Sequence, residues 1–90
     1  MILISYDISD NKLRTKFAKY ITRFGHRLQY SVYEIDNGKR ILNNIVEEIE
    51  HKWVKRFGEE DSVFIFNMSE QCKIIRCGYA KHEDEDVIIV

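Results

Sequence analysis

The groups in this sequence that carry chemistry are one well-placed carboxylate, a row of cations and a few arginines. Asp7 follows the apolar run Met1 to Tyr6. That order sets it at the carboxyl end of a strand, where sites often form in sheet proteins. One carboxylate is too few to fix Mg2+ firmly. A two-fold axis bringing both copies of Asp7 to one cleft would let a hydrated metal activate water against a phosphodiester. From spacing alone, a bond to the following loop or a cap on the next helix is an equal alternative for this carboxylate.

Lys12, Lys16, Lys19 and Arg23 recur at spacings of four, three and four, which stacks them along one face of a helix. No acidic residue lies between Lys12 and Arg27. Such a ridge neutralises phosphates and releases their counterions without reading bases. An ordinary solvated helix face has the same pattern. Arg14 lies off the ridge. Arg27 and Gln29 share one parity of the segment after the helix, which allows both to reach the edge that holds Asp7, although arginine is common at plain surface positions.

Other chemistries are excluded by spacing. His26, His51 and His82 have no metal-ligand spacing to one another or to the cysteines, and Cys72 and Cys77 are not spaced as zinc ligands. The four glycines form no phosphate-binding loop, so nucleotide hydrolysis of the P-loop kind is excluded.

The elements that must position these groups follow from the apolar periodicity. Met1 to Tyr6 is nearly continuous in apolar residues and predicts a central strand buried on both faces. Ser9, Asp10 and Asn11 are helix-capping types, and Leu13, Phe17, Tyr20, Ile21 and Phe24 then recur at spacings of three and four until Gly25 supplies a stop. Between His26 and Asp36, Leu28, Tyr30 and Val32 alternate on one parity and Tyr33 and Ile35 on the other. A slip between Val32 and Tyr33 predicts a bulge or a tight reversal, hence two short strands. Asn37-Gly38 signals a turn, and Leu42, Ile45, Val46, Ile49, Trp53 and Phe57 trace one face of a second helix ending at Gly58. Ser62 to Met68 predicts another central strand, and Cys72 to Tyr79 could form one more. Val87 to Val90 is a short apolar end behind the acidic run Glu83 to Asp86. It suits strand pairing with the other subunit or a different protein, a frayed terminus being the plain alternative.

Strand, helix, two strands, helix, strand is the order of a ferredoxin-like α+β sandwich, an antiparallel sheet with two helices on one face, here with added C-terminal strand material. Ninety residues make a single domain, residues 1–90, with residues 80–90 as its acidic, partner-pairing segment. A domain of this size buries only about 60 to 65% of its unfolded surface, so its core is thin and dimerisation is expected. The 44% hydrophobic and 12% aromatic content is that of a folding chain. No apolar run nears the roughly 20 residues of a membrane span, and no basic region precedes the first strand, so a cytoplasmic, membrane-free protein with two free thiols is expected. The net charge of -1 conceals a bipolar chain. Residues 1–40 hold eight Lys/Arg against four acids, and residues 41–90 hold six against eleven. The basic half suits a phosphate backbone, and the acidic half a basic protein partner.

Ser5-Tyr6-Asp7-Ile8-Ser9-Asp10, then Lys12 and Arg14, then Gly25-His26-Arg27-Leu28-Gln29-Tyr30-Ser31-Val32-Tyr33-Glu34 together resemble the CRISPR-associated family usually called "Cas two". The resemblance runs on through the second helix to Asp61-Ser62-Val63. It implies a ferredoxin-like homodimer that bridges two dimers of the basic integrase of CRISPR adaptation and holds duplex prespacer DNA across the basic ridge, with Lys12, Arg14, Lys16, Lys19, Arg23 and Arg27 as nucleic-acid-binding residues. It also implies a metal-dependent endonuclease acting on single-stranded RNA or on DNA. Asp7 stands at the family's magnesium-binding aspartate, with Mg2+ or Mn2+ as the metal, and Tyr6, Arg14, Arg27 and Tyr33 stand at the other positions linked to catalysis. Lys16 occupies a position where some members have arginine, and Tyr33 one where many have phenylalanine. A toxin-type ribonuclease of a related ferredoxin-like branch, acting alone, is the alternative.

Overall fold

The computed structural model describes residues 1–36, 38–69, 71–75, 77 and 78. Its elements run β1 (Ile2–Asp7), α1 (Asn11–Thr22), β2 (Gly25–Gln29), β3 (Val32–Ile35), α2 (Lys39–Glu48) and β4 (Ser62–Asn67). A π-helical turn (Ile49–Trp53) and a short 3-10 turn (Val54–Arg56) continue α2. The four strands form one antiparallel sheet in the order β2-β3-β1-β4, the ferredoxin-like arrangement.

β1 is central, but among the described residues only one of its faces is closed. Ile2, Ile4 and Tyr6 are buried against the helices, while Leu3 and Ser5, on the opposite face, are half-buried. The expectation of burial on both faces is therefore corrected: the helices of this fold cover one side of the sheet, and side chains alternate between sides with period two. Among the described residues β4 likewise is an edge strand, not a central one, and pairs only with β1, Ile65 lying opposite Ile4. Its apolar run mixes two functions. Val63 and Ile65 pack on the core, while Phe64 and Phe66 stand on the open face, 59% and 45% exposed.

The Asp10 side chain accepts the Leu13 N–H at 2.8 Å and starts α1, a cap worth about 1 kcal/mol. Leu13, Phe17, Tyr20 and Ile21 form its buried stripe. The helix ends at Thr22, before Gly25, which opens β2 instead of stopping the helix. Gly25 is needed there for close approach: a Cβ would lie 1.9 Å from the Glu34 carbonyl oxygen of β3.

The second helix departs from a single α-helix through Phe57. Ile45, Ile49, Trp53 and Phe57 are four apart, and in an α-helix each such step overshoots a full turn by about 40°. The wider π-helical turn absorbs this drift and delivers Trp53 to the core. There its ring centroid lies 5.1 Å from Phe17 and 5.4 Å from Tyr20.

The β2–β3 segment contains both devices expected from its slipped parity. The reversal is at Tyr30–Ser31, earlier than the slip suggests, and a bulge interrupts the pairing between Arg27 and Gln29. The described residues of Cys72 to Gly78 are not in a strand. Ile74, Ile75 and Cys77 lie instead near Leu3, Leu28 and Val32 on the open face of the sheet. Val87 to Val90 and the acidic run before it fall outside the described residues.

Candidate nucleic-acid interface

The end of β1 opens into a cleft of about 450 Å³ bounded by Tyr6, Asp7 and Ile8, by Arg14, Thr15 and Ala18 of α1, and by Arg27, Tyr30 and Ser31 of the β2–β3 hairpin. Two neighbouring elements meet the strand end here because β3, which carries the hairpin back, pairs directly with β1. Four of the five residues that the sequence points to for catalysis thus line one cleft. The fifth, Tyr33, is buried behind it, stacked on Tyr6 at 6.2 Å between centroids.

Asp7 is exposed at the strand end, opposite Ser62 of β4. Because Asp10 caps α1, the capping alternative for Asp7 does not apply. Among the described residues no group of three or more His, Cys, Asp or Glu side chains is placed to hold a metal ion. A single chain therefore brings one hard oxygen donor to the cleft, where Mg2+ ordinarily takes one or two carboxylates and keeps several waters.

Arg14 is partly committed to the loop it faces. One guanidinium nitrogen donates to the Ile8 carbonyl at 2.9 Å and to the Ser9 carbonyl at 3.4 Å, and the other to the Asn11 side-chain oxygen. It fixes the turn between Asp7 and α1, and two of its five N–H groups remain for an anion. Arg27 is exposed and stands opposite Tyr33 in the β2–β3 register. The shared parity of Arg27 and Gln29 does not survive the bulge. Gln29 is opposite Val32 and lines the open face with Leu28, whereas Arg27 lines the cleft.

Tyr6 is buried, its ring edge-on to Phe17 at 5.1 Å. Its hydroxyl donates to the Tyr30 carbonyl at 3.1 Å, and its backbone N–H donates to the Ser31 carbonyl at 3.0 Å. Burial, reinforced by Tyr33 and only partly offset by Arg27 and Arg14, pushes its phenol up to about 12. The group is protonated at neutral pH and serves as a donor that pins the hairpin turn to β1.

Lys12, Lys16, Lys19 and Arg23 are all exposed, on the side of α1 away from its buried stripe. Arg23 sits just past the last helical residue as the C-cap. The ridge and the cleft share α1 but use different flanks of it: Arg14, Thr15 and Ala18 border the cleft, and the ridge residues lie farther round the helix.

Two contributors do not stand out in the sequence. Alternation with Leu28 and Val32 puts Tyr30 in a strand, whereas its actual place in a reversal leaves it 83% exposed at the cleft. Asp61 reads only as part of an acidic turn. Its two oxygens accept the Ser9 N–H at 2.9 Å and the Gly58 N–H at 2.8 Å, tying the loop after Asp7 to the turn before β4. Those backbone donors, Ser9 first, hold its carboxyl below the usual aspartate range.

A depressed folded-state pKa contributes stability above the unfolded value of about 4, and that contribution is lost as pH falls through the folded value. Asp61→Asn removes one acceptor oxygen and the charge. The variant is expected to melt below the wild type at pH 7, and the gap should close below about pH 4. Thermal melts of both proteins from pH 7 to pH 3 check this; a gap that persists or widens in acid would refute the tie.

Residues 1–74 match the family profile described as CRISPR associated protein Cas2. This chain belongs to the Cas2 family. A curated relative from Methanospirillum hungatei, named CRISPR-associated endoribonuclease Cas2 2, is 30% identical over 91 residues, covering 98% of this chain and 97% of the relative. A protein of the same name from Synechocystis is 31% identical over 72 residues, covering 79% of this chain and 74% of its own length. Among solved structures, a hypothetical protein, TT1823 from Thermus thermophilus, superposes with a TM-score of 0.65 at 25% identity, over 88% of this chain and 93% of that one. Streptococcus pyogenes Cas2, crystallised at pH 6.5, superposes with a TM-score of 0.61 over 78% of this chain and 87% of its own, and at 22% identity speaks for the fold alone. Membership of the Cas2 family associates this chain with CRISPR systems. Among the described residues, no helix is long and apolar enough to cross a membrane.

Proposed function

We propose that this Cas2-family chain is a cytoplasmic homodimeric subunit of CRISPR spacer acquisition that holds the phosphate backbone of duplex prespacer DNA and bridges integrase dimers. The cleft at the end of β1 carries a metal-dependent endonuclease activity on RNA or DNA through Asp7. The observation that carries the reading is the set of exposed cations around α1: four ridge residues on one flank of the helix, and on another Arg14, which with Arg27 lines the cleft beside Asp7, its only carboxylate among the described residues. Phosphate contacts of this kind position a nucleic acid without reading its sequence.

The homodimer is supported by the open face of the sheet. Phe64 and Phe66, together with Ile75 at 72% exposure, leave apolar surface beside a β4 edge that no other described strand covers, and a second copy is the partner that covers it symmetrically. Pairing would supply the second Asp7 that one chain lacks. Two carboxylates and retained waters suit Mg2+ or Mn2+, and the metal when bound would polarise a phosphoryl oxygen and ease deprotonation of water. The integrase contact is assigned to the acidic C-terminal segment, whose charge suits a basic protein.

The backbone-binding part is tested by duplex-DNA affinity across salt. Replacing Lys12, Lys16, Lys19 and Arg23 by glutamine frees up to four phosphates per protomer, and the log–log salt slope is expected to fall by about 1 for each phosphate no longer neutralised. An unchanged slope would remove the ridge from the binding surface.

A further inference from the structure

We infer that Tyr30 is a stacking platform for an unpaired base, which makes the Asp7 cleft a site for a single-stranded or splayed nucleotide. The inference deepens the proposed function and rests on its assignment of the cationic surface to nucleic acid. Tyr30 is 83% exposed, yet its position is fixed. Tyr6 holds the turn twice, through its hydroxyl to the Tyr30 carbonyl at 3.1 Å and through its backbone N–H to the Ser31 carbonyl at 3.0 Å. A large aromatic on a turn clamped to the central strand is pre-organised: the backbone beneath it is already ordered, so stacking costs only side-chain freedom.

The surroundings of Tyr30 match the parts of a nucleotide. Arg14 and Arg27 line the same cleft and offer guanidinium groups to a phosphate, whereas the exposed ring of Tyr30 offers a face to a base. A volume of about 450 Å³ admits a nucleotide but not a stacked duplex. Asp7 lines the same cleft, so a nucleotide held there by Tyr30 and the arginines would bring its backbone to this carboxylate. The ridge on α1 treats duplex and single strand alike, so discrimination between them falls to the cleft. In a protein whose exposed apolar side chains otherwise include Phe64 and Phe66 on the open sheet face, Tyr30 stands apart at the cationic end.

The test compares wild type, Tyr30→Ala and Tyr30→Phe in the full chain, using a mixed-sequence single-stranded RNA carrying one 2-aminopurine and a blunt duplex DNA. Tyr30→Ala is expected to weaken single-strand binding roughly tenfold, the effect of losing one base–aromatic stack. It should also abolish 2-aminopurine quenching while leaving duplex affinity and the circular dichroism spectrum unchanged. Tyr30→Phe should restore both single-strand readouts, because the ring and not the hydroxyl stacks. Unchanged single-strand binding in Tyr30→Ala, or an equal loss on duplex, would overturn the inference while the proposed function stood. Failure of the wild type to bind either nucleic acid would overturn both.

Discussion

Replacing Phe17 by alanine is expected to cost about 3 to 5 kcal/mol, the largest loss of stability from any single truncation in this chain. Phe17 is fully buried at the centre of α1. Its ring meets Tyr6 at 5.1 Å, Trp53 at 5.1 Å, Tyr20 at 6.2 Å and Phe57 at 6.4 Å, so one side chain joins β1, α1 and the end of the second helix. The cavity left by its removal is walled by rigid rings that collapse poorly, which places the cost toward the upper part of that range. A domain of this length has roughly 5 to 13 kcal/mol in total, so the loss is between about a quarter and all of its stability. At roughly 4 °C or more per kcal/mol, its Tm should fall by at least about 12 °C in thermal circular dichroism. A fall below about 4 °C would show that the aromatic cluster is not the centre of the core. The consequence reaches the site, since the same ring supports Tyr6, and Tyr6 pins the hairpin that forms one wall of the cleft.

The order of elements and the placement of the cations are legible in the sequence because they depend on local periodicity. The α1 stripe of Leu13, Phe17, Tyr20 and Ile21 is buried as its spacing dictates, and Lys12, Lys16, Lys19 and Arg23 share one exposed flank for the same reason. What the sequence hides depends on partners distant along the chain. Met1 to Tyr6 and Ser62 to Met68 are both apolar runs, and nothing local distinguishes a strand closed on both faces from one closed on a single face. The bulge at Leu28–Gln29 reverses the parity of Gln29 relative to Arg27, and only the pairing with β3 fixes where such a bulge falls. Asp61 resembles any residue of an acidic turn until the fold brings it to Ser9, 52 positions earlier. Tyr30 is hidden for the opposite reason: apolar alternation draws it into a strand, while the chain reverses there.

Asp7→Ala carries the second large effect. The side chain is exposed at the strand end and does not cap α1, so its removal leaves the core and the α1 cap intact. It is also the only carboxylate among the described residues lining the cleft, and two-fold pairing would make it the shared metal ligand of both subunits. Loss of a ligand that anchors a catalytic metal is expected to lower cleavage by at least about 100-fold, beyond the range seen when mere supporting groups are removed. Binding should change little, or tighten slightly as a negative charge leaves a phosphate-binding surface.

The most direct test is cleavage of labelled single-stranded RNA and duplex DNA by wild type and Asp7→Ala across Mg2+ and Mn2+ concentrations, with binding of the same substrates measured in parallel. Metal-dependent cleavage by the wild type, lost in Asp7→Ala while binding survives, is the predicted result. A variant that cleaves as well as the wild type would contradict the assignment of Asp7. If neither protein cleaves and both bind duplex, the nuclease part of the account falls and the backbone-binding subunit remains.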